Sequence, residues 1–485
     1  MLVILNKKKF FKLFTVLFLL FSAITCFAKT DLQVFKGDKN DDLNEYTINA
    51  SFNEKLKKLT CSQNVVYVNN TKNNLREVYF HIYPNAFSKE KYAPFAKNEL
   101  KDAYPNGFSK GYIKVKSILN NQTKLSYSIS GKKEDLLIIK LNNELKPDEK
   151  IDIHIEYDVK LPNSIGRFGY GDNTINITNW YPIACVHDER GWNKKGYEKI
   201  GDPFYSDVSN FNVIIKIPNK YKIASTGVIK SKKKSNDINI FKVDARHVRD
   251  FAFILSDKFS ILSTNIKDTN IYSYFFDDKY GKEAFAVAKD SLVVFNDLFG
   301  KYPYKTYSVV ESDFFIGGME YPNLVMIDER LYDQDSKFAL EYVVAHETAH
   351  QWWYSLVGND EISEPWLDEA LTEYSTILYF EQKYGKEVKD RLIKHMKVRT
   401  MTKQSKNIFK STTEFDNSID YSLCVYSKGA LMIDDIRKKV GDNVFFDTLR
   451  KYYNENKYKN VTSDQFMNMW EKEGVNTEKI MNGNN

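Results

Sequence analysis

Residues 346–350 read His-Glu-Thr-Ala-His, and eighteen residues separate His350 from Glu369. Four residues is just over one helical turn, so a helix over this segment presents both imidazoles on one face. Two neutral imidazoles so placed can hold one Zn2+ at about 2.0–2.1 Å, with a carboxylate as third protein ligand and water in the open fourth position. His346, His350 and Glu369 supply that set. Structural zinc sites usually fill all four positions with protein, so this composition points to a hydrolytic centre with one Zn2+ per chain. Glu347, next to the first ligand, is placed to take a proton from the water. With seven His in 485 residues, composition alone yields such a pentapeptide by accident on the order of once per hundred chains.

The flanks supply helix boundaries. Ser336 is expected to cap a helix carrying Phe338, Leu340, Val343 and Val344, with Gly358 as its stop. Ser363 and Pro365 announce a second helix that ends near Gly385. Glu369 falls early in it and Glu373 one turn later. Glu373 is placed to accept the remaining N–H of a zinc histidine, the plain alternative being a solvated helix-face glutamate.

A chain of 485 residues exceeds one ordinary core, so two or three domains are expected. Residues 1–28 read as a signal peptide: Lys7, Lys8, Lys9 and Lys12, then an uncharged run to Phe27 and Ala28 before Lys29. That run is shorter than the roughly 20 apolar residues of a membrane-spanning helix. The expectation is a secreted, extracellular protein, attached to a membrane only if the segment stays uncleaved. The formal charge of +6 falls to +2 without those four lysines. No clustered basic helix remains, so no nucleic-acid partner is expected. Cys61, Cys185 and Cys424 are odd in number and widely spaced, and they read as buried apolar residues rather than a disulfide framework.

Residues 29–266 read as β. In Ile151–Leu161 apolar and polar residues alternate and Pro162 ends the run. Further strands are expected around 65–68, 78–82, 112–118, 136–141 and 211–217, forming an antiparallel sheet domain of the saddle or sandwich kind. His154 falls on the polar side of its strand, and neither His81 nor His187 has ligand-like spacing. From residue 267 to 478 the pattern turns helical: a helix near 281–298, short strands at 307–310 and 323–327, then helices. Residues 479–485 read as a frayed tail. The class is α+β and multidomain.

In this order, Gly317-Gly318-Met319-Glu320, His346-Glu347-x-x-His350, Trp352, Val357-Gly358-Asn359, Trp366-Leu-Asp-Glu369-Ala370 and Tyr421-x-x-x-x-Tyr426-Ser-Lys-Gly429 resemble the aminopeptidase N family of gluzincin metallopeptidases, which includes leukotriene hydrolase. The likeness runs over roughly residues 60–475. It implies an N-terminal β saddle domain and a thermolysin-like, mainly helical zinc catalytic domain. It also implies cleavage of N-terminal residues from peptides with free N-termini. Gly317, Gly318, Met319 and Glu320 would bind substrate, Glu320 pairing with the α-ammonium, and Tyr426 would donate its phenol to the oxyanion. Two departures stand out. Tyr321-Pro322 replaces the family's Asn after the Glu, and the chain ends where the catalytic domain is expected to end, without the helical domain that roofs the cleft in longer relatives. An open-cleft zinc endopeptidase is therefore one rival reading, and a catalytically weak peptide-binding surface protein is another. The second ligand of the substrate amine is placed, as a guess, within residues 172–179.

Overall fold

The computed structural model describes residues 42–401 and 407–481. The signal-peptide reading falls outside the described residues. Across residues 42 to about 258 the chain is built from β-sheets. The largest sheet has eight strands, in the order 228–235, 238–248, 209–218, 44–53, 58–68, 150–160, 112–120 and 123–124. The alternation in 151–161 becomes one inward row, with Ile153, Ile155, Tyr157 and Val159 all fully buried. His154 lies partly exposed on the other face. The sheet is antiparallel except where Asn44–Asn53 lies parallel to Ser209–Pro218. Those strands are joined through most of the domain rather than by a hairpin, so no turn forces them antiparallel. Two four-stranded sheets and a two-stranded ribbon of His187–Asp188 with Gly191–Trp192 complete the β half. Cys61, Cys185 and Cys424 are buried, and none of them is in a disulfide among the described residues.

The change of architecture comes slightly before the expected residue 267. Strand Ser260–Ile266 pairs with Thr269–Phe275 in a five-stranded sheet that continues through Thr306–Ser312, Leu324–Asp328 and the edge strand Gly318–Met319. The Ser260–Ile266 strand follows the β pattern of the preceding domain, but its backbone partner belongs to the next one. The parallel step from 269–275 to 306–312 is bridged by helix α1, Asp278–Phe299, whose N-terminal amides at Lys279 and Tyr280 are accepted by the Asp277 side chain.

Helix α2 spans Lys337–Ala349 and helix α3 spans Trp366–Tyr384. Two boundary expectations need correction. Ser336 stands at the N-cap position but its side chain makes no capping bond; its hydroxyl faces Asp333 instead. Gly358 is not the stop of α2, which ends at Ala349. The chain turns back on itself there, with Ser355 N–H donating to His350 O and Val357 N–H to Trp352 O. Gly358 answers a different demand, because a Cβ there would lie 2.1 Å from the Arg249 guanidinium carbon.

Arg249 is what ties the two halves behind the site. It is buried and donates to the carbonyls of Tyr354 at 2.6 Å, Ser206 at 2.8 Å and Lys459 at 2.6 Å. Charge-assisted bonds contribute roughly 1.5–3 kcal/mol each, while desolvating the ion costs several kcal/mol. The net is modest, and what the residue secures is the seating of the β half against the loop after α2.

Helix α3 is buried along nearly its whole length, from Trp366 to Phe380. A helix enclosed on every side carries its polar residues into the protein interior, and so Glu369 and Glu373 are buried. A later helix, Gly429–Val440, closes on α3 at Gly429, where a Cβ would sit 2.4 Å from that of Ala370. The turns before it, Ser422–Lys428, are π-helical, a local widening that often marks functional positions. At the C-terminus, residues 479–481 are helical rather than frayed, within Thr477–Met481, because Asn476 Oδ1 accepts the Lys479 amide. Residues 482–485 lie outside the described residues.

Candidate active site

His346 and His350 project from the last turn and the end of α2, with ring centroids 5.0 Å apart. Glu369, in the first turn of α3, brings Oε2 to 3.3 Å from both Nε2 atoms. All three residues are buried, and one donor atom from each lies within 4.8 Å of the other two. The outer ring nitrogens decide what the inner ones can be. His346 Nδ1 lies 3.2 Å from Glu373 Oε2, and Glu373 Oε1 accepts the Tyr342 hydroxyl at 2.7 Å. His350 Nδ1 lies 2.9 Å from the Trp353 carbonyl. Both partners are acceptors, so both Nδ1 atoms carry the proton and both Nε2 lone pairs face inward. Glu369 Oε2, which they face, accepts no hydrogen bond among the described residues. Three buried electron-pair donors aimed at one another without a proton between them fit a divalent cation and little else.

Glu347 is buried against the edge strand, and burial lifts its carboxyl to about 7. Glu369 behaves oppositely: burial would raise it, yet when the two rings are protonated in the metal-free site they hold it well below the usual carboxylate range. The close approach of Glu347 depends on Gly318, where a Cβ would fall 2.3 Å from Glu347 Oε1. Gly317 has φ +91°, a conformation that glycine adopts without strain.

A cleft of about 350 Å³ runs over these groups, bordered by Gly317, Gly318, Glu320, Glu347, Asp202 and Tyr426. Glu320 is buried there, and its Oε1 has no hydrogen-bond partner among the described residues. Met319 is not at the cleft. Successive side chains of a strand point to opposite faces, so Met319 turns into the core, where its Sδ accepts from Arg167 Nε at 2.9 Å. Its expected place among the substrate-binding residues is corrected accordingly. Tyr321, which stands where relatives carry Asn, also turns inward, its hydroxyl 2.7 Å from Thr178 Oγ1 and 2.9 Å from Asn179 Oδ1. Tyr426 stacks on His346 with ring centroids 5.7 Å apart, and its hydroxyl donates to Glu369 Oε1.

The β half contributes a cleft residue that the sequence did not point to. Asp202 lines the cleft and pairs with Arg167. Its carboxyl is raised by burial despite that guanidinium. Residues 172–179, where a β-domain contact was sought, hold the scaffold instead: the Asn173 and Thr174 amides donate to Asp313 Oδ2 at 2.7 and 2.8 Å. The one local signal at Asp202 is the preceding Gly201, at φ +71° with the Tyr421 ring against it, which is legible only once Tyr421 is known to be near.

Residues 283–483 match the peptidase family M1 domain. Human aminopeptidase B is 28% identical over 211 residues, covering 40% of this chain and 31% of its own length. The chain thus spans about a third of the length of that curated relative. In fold it matches a variant of an M1 zinc metallopeptidase from Deinococcus radiodurans, with TM-score 0.65 and 15% identity, covering 91% of this chain and 93% of the other. A second structure of that kind, bound to a Tyr-Ser-Ala substrate, matches with TM-score 0.63 and 15% identity. The stretch that matches the peptidase family M1 domain contains both histidines, Glu347, Glu369 and Tyr426, and over it the chain is similar to that family.

Proposed function

We propose that this protein is a zinc aminopeptidase that removes N-terminal residues from peptides. The observation carrying the reading is the convergence of His346 Nε2, His350 Nε2 and Glu369 Oε2 with their lone pairs turned inward. These three would hold Zn2+, which when bound supplies Lewis acidity, making a water nucleophilic near neutral pH and polarising a carbonyl.

The chain's own residues do the rest. Glu347, buried beside the ligand histidines and lining the same cleft, is placed to accept a proton from water and return it to the leaving amine. The Tyr426 phenol reaches the edge of the same cleft and is the candidate donor to the developing oxyanion. Glu373, Tyr342 and the Trp353 carbonyl keep the rings oriented. Glu320 presents a buried carboxylate without a hydrogen bond on one oxygen, and a substrate α-ammonium satisfies it as a blocked N-terminus cannot. That bare oxygen favours the exopeptidase reading over an endopeptidase.

Aminoacyl reporters and their acetylated counterparts test this. The zinc-loaded protein should cleave the free forms and largely spare the acetylated ones, and Glu320→Ala should erode that preference. Equal cleavage of both forms by the wild type would refute the aminopeptidase reading. The basic-then-apolar residues 1–28 support a site of action outside the cytoplasm, which fractionation of the native host checks directly.

A further inference from the structure

A second cavity, of about 760 Å³, shares no lining residue with the catalytic cleft. Ile362 and Phe415, both buried, give it an apolar side. Five lysines also border it, at 132, 133, 194, 195 and 199, against two carboxylates, Asp135 and Glu198. Two segments bring the lysines together: the turn between strands Tyr127–Ser130 and Leu136–Leu145, and the loop 193–200. They are stitched at Tyr197, whose N–H donates to Asp135 Oδ2 at 3.0 Å and whose carbonyl accepts from Lys133 Nζ. Lys194 lies 4.2 Å over the Tyr79 ring, and Lys195 donates to Ser363 Oγ. Lys132 and Lys199, both exposed, enter no hydrogen bond or ion pair among the described residues. The cavity also has a buried orphan. Thr412 borders it, is 1% exposed, and its hydroxyl has no partner among the described residues. Its methyl is the branch against Gly201, which lies outside the cavity lining, so the hydroxyl is left for the cavity side.

Buried polar atoms are nearly always partnered, and leaving one bare is costly. Ammoniums gathered at one cavity repel unless something of opposite sign joins them. Burial holds the Lys133 ammonium below the usual lysine range, and Lys199 and Lys132 press the same way against Glu198 and Asp135. The three ammoniums thus lie within electrostatic reach of one another. We propose that this cavity binds a nucleoside monophosphate, at a site separate from the histidine centre. A phosphate monoester carries about −1.5 to −2 charge near pH 7, more than a single carboxylate, and lysine serves phosphate as a point charge. The phosphate group meets Lys132 and Lys199. The flat ring of the base lies along Ile362 and Phe415, and one of its polar edge atoms satisfies the Thr412 hydroxyl. The volume falls within the roughly 300–1,000 Å³ of small-molecule sites. An inorganic anion would leave the apolar side and the hydroxyl unused.

The test titrates AMP, adenosine and inorganic phosphate into the zinc-loaded full chain by calorimetry, with ionic strength held constant by NaCl. AMP should bind once per chain and about tenfold or more tighter than either fragment, since each fragment makes only part of the contact. Lys132→Ala combined with Lys199→Ala should weaken AMP binding by about tenfold or more. Zinc content and turnover of aminoacyl reporters should stay at wild-type values in that variant, so failure here is distinguishable from failure of the peptidase reading. Thr412→Val should weaken AMP by a smaller factor. Without AMP it should unfold no earlier than wild type, because it removes an unpartnered buried hydroxyl. AMP binding that survives in the double-lysine variant would place the anion elsewhere, at the zinc for example, and overturn the proposal. So would a wild type that binds no AMP, or one that takes inorganic phosphate as tightly as AMP.

Discussion

The two walls of the cleft are built by different means. On the helical wall the outer nitrogen of each ligand ring has a dedicated neighbour, Glu373 (itself held by Tyr342) for His346 and the Trp353 carbonyl for His350, while the inward Glu369 Oε2 has none among the described residues. On the opposite wall Glu320 and Asp202 bring carboxylates to the cleft from two distant parts of the chain. One wall orients its ligands through local geometry, since residues one helical turn apart and neighbouring helices supply each contact. The other concentrates negative charge. The difference teaches that saturated outer atoms hold a site rigid in advance, and bare inward atoms mark where it receives something.

Glu347 stands where the walls meet, and replacing it is the strongest way to break the comparison. Glu347→Gln should lower kcat by about 10²–10⁴-fold while zinc content stays at one per chain, as kinetics and metal analysis on one preparation would show. Substantial residual turnover would remove it as the base. A smaller effect should come from the facing wall. Gly318→Ala puts a methyl group 2.3 Å from Glu347 Oε1, and displacing a catalytic group by about an ångström costs on the order of 10²-fold. That loss should fall on kcat with zinc retained; an unchanged kcat would mean that the wall yields. The mildest change sharpens the account of the helical wall. Glu373→Ala leaves all three ligands in place but removes the partner of His346 Nδ1, and should weaken zinc affinity by about 10–100-fold. Competition with a chelator would detect it, and an affinity equal to wild type would deny Glu373 its orienting role.

These walls were unequally legible. The spacing of His346 and His350 needs only a helix to become a chelate, and the acidic residues at 369 and 373 follow from the next helix being buried throughout. The strand at 151–161 was equally plain, because strict alternation has one reading in a half-buried sheet. Boundaries were harder. Gly358 carries the signature of a helix stop, yet it exists for the Arg249 guanidinium, a packing demand from about a hundred residues upstream. Met319 sits inside the motif that marks the cleft edge, but strand pleating turns it to the other side. Asp202 had only the preceding Gly201 as a signal, and without Tyr421 in place nothing about Gly-Asp-Pro distinguishes a cleft wall from an ordinary turn.

What the amino-acid order determined by itself was everything that repeats with the period of a helix or a strand: two imidazoles on one face, a base beside them, a carboxylate and its successor on the following helix. Only the tertiary structure decided which acids share the cleft, because Asp202, Glu320 and Glu347 meet there through folding of distant segments. Local periodicity is set by backbone geometry that each residue carries with it, whereas their encounter depends on the packing of two domains around one buried helix.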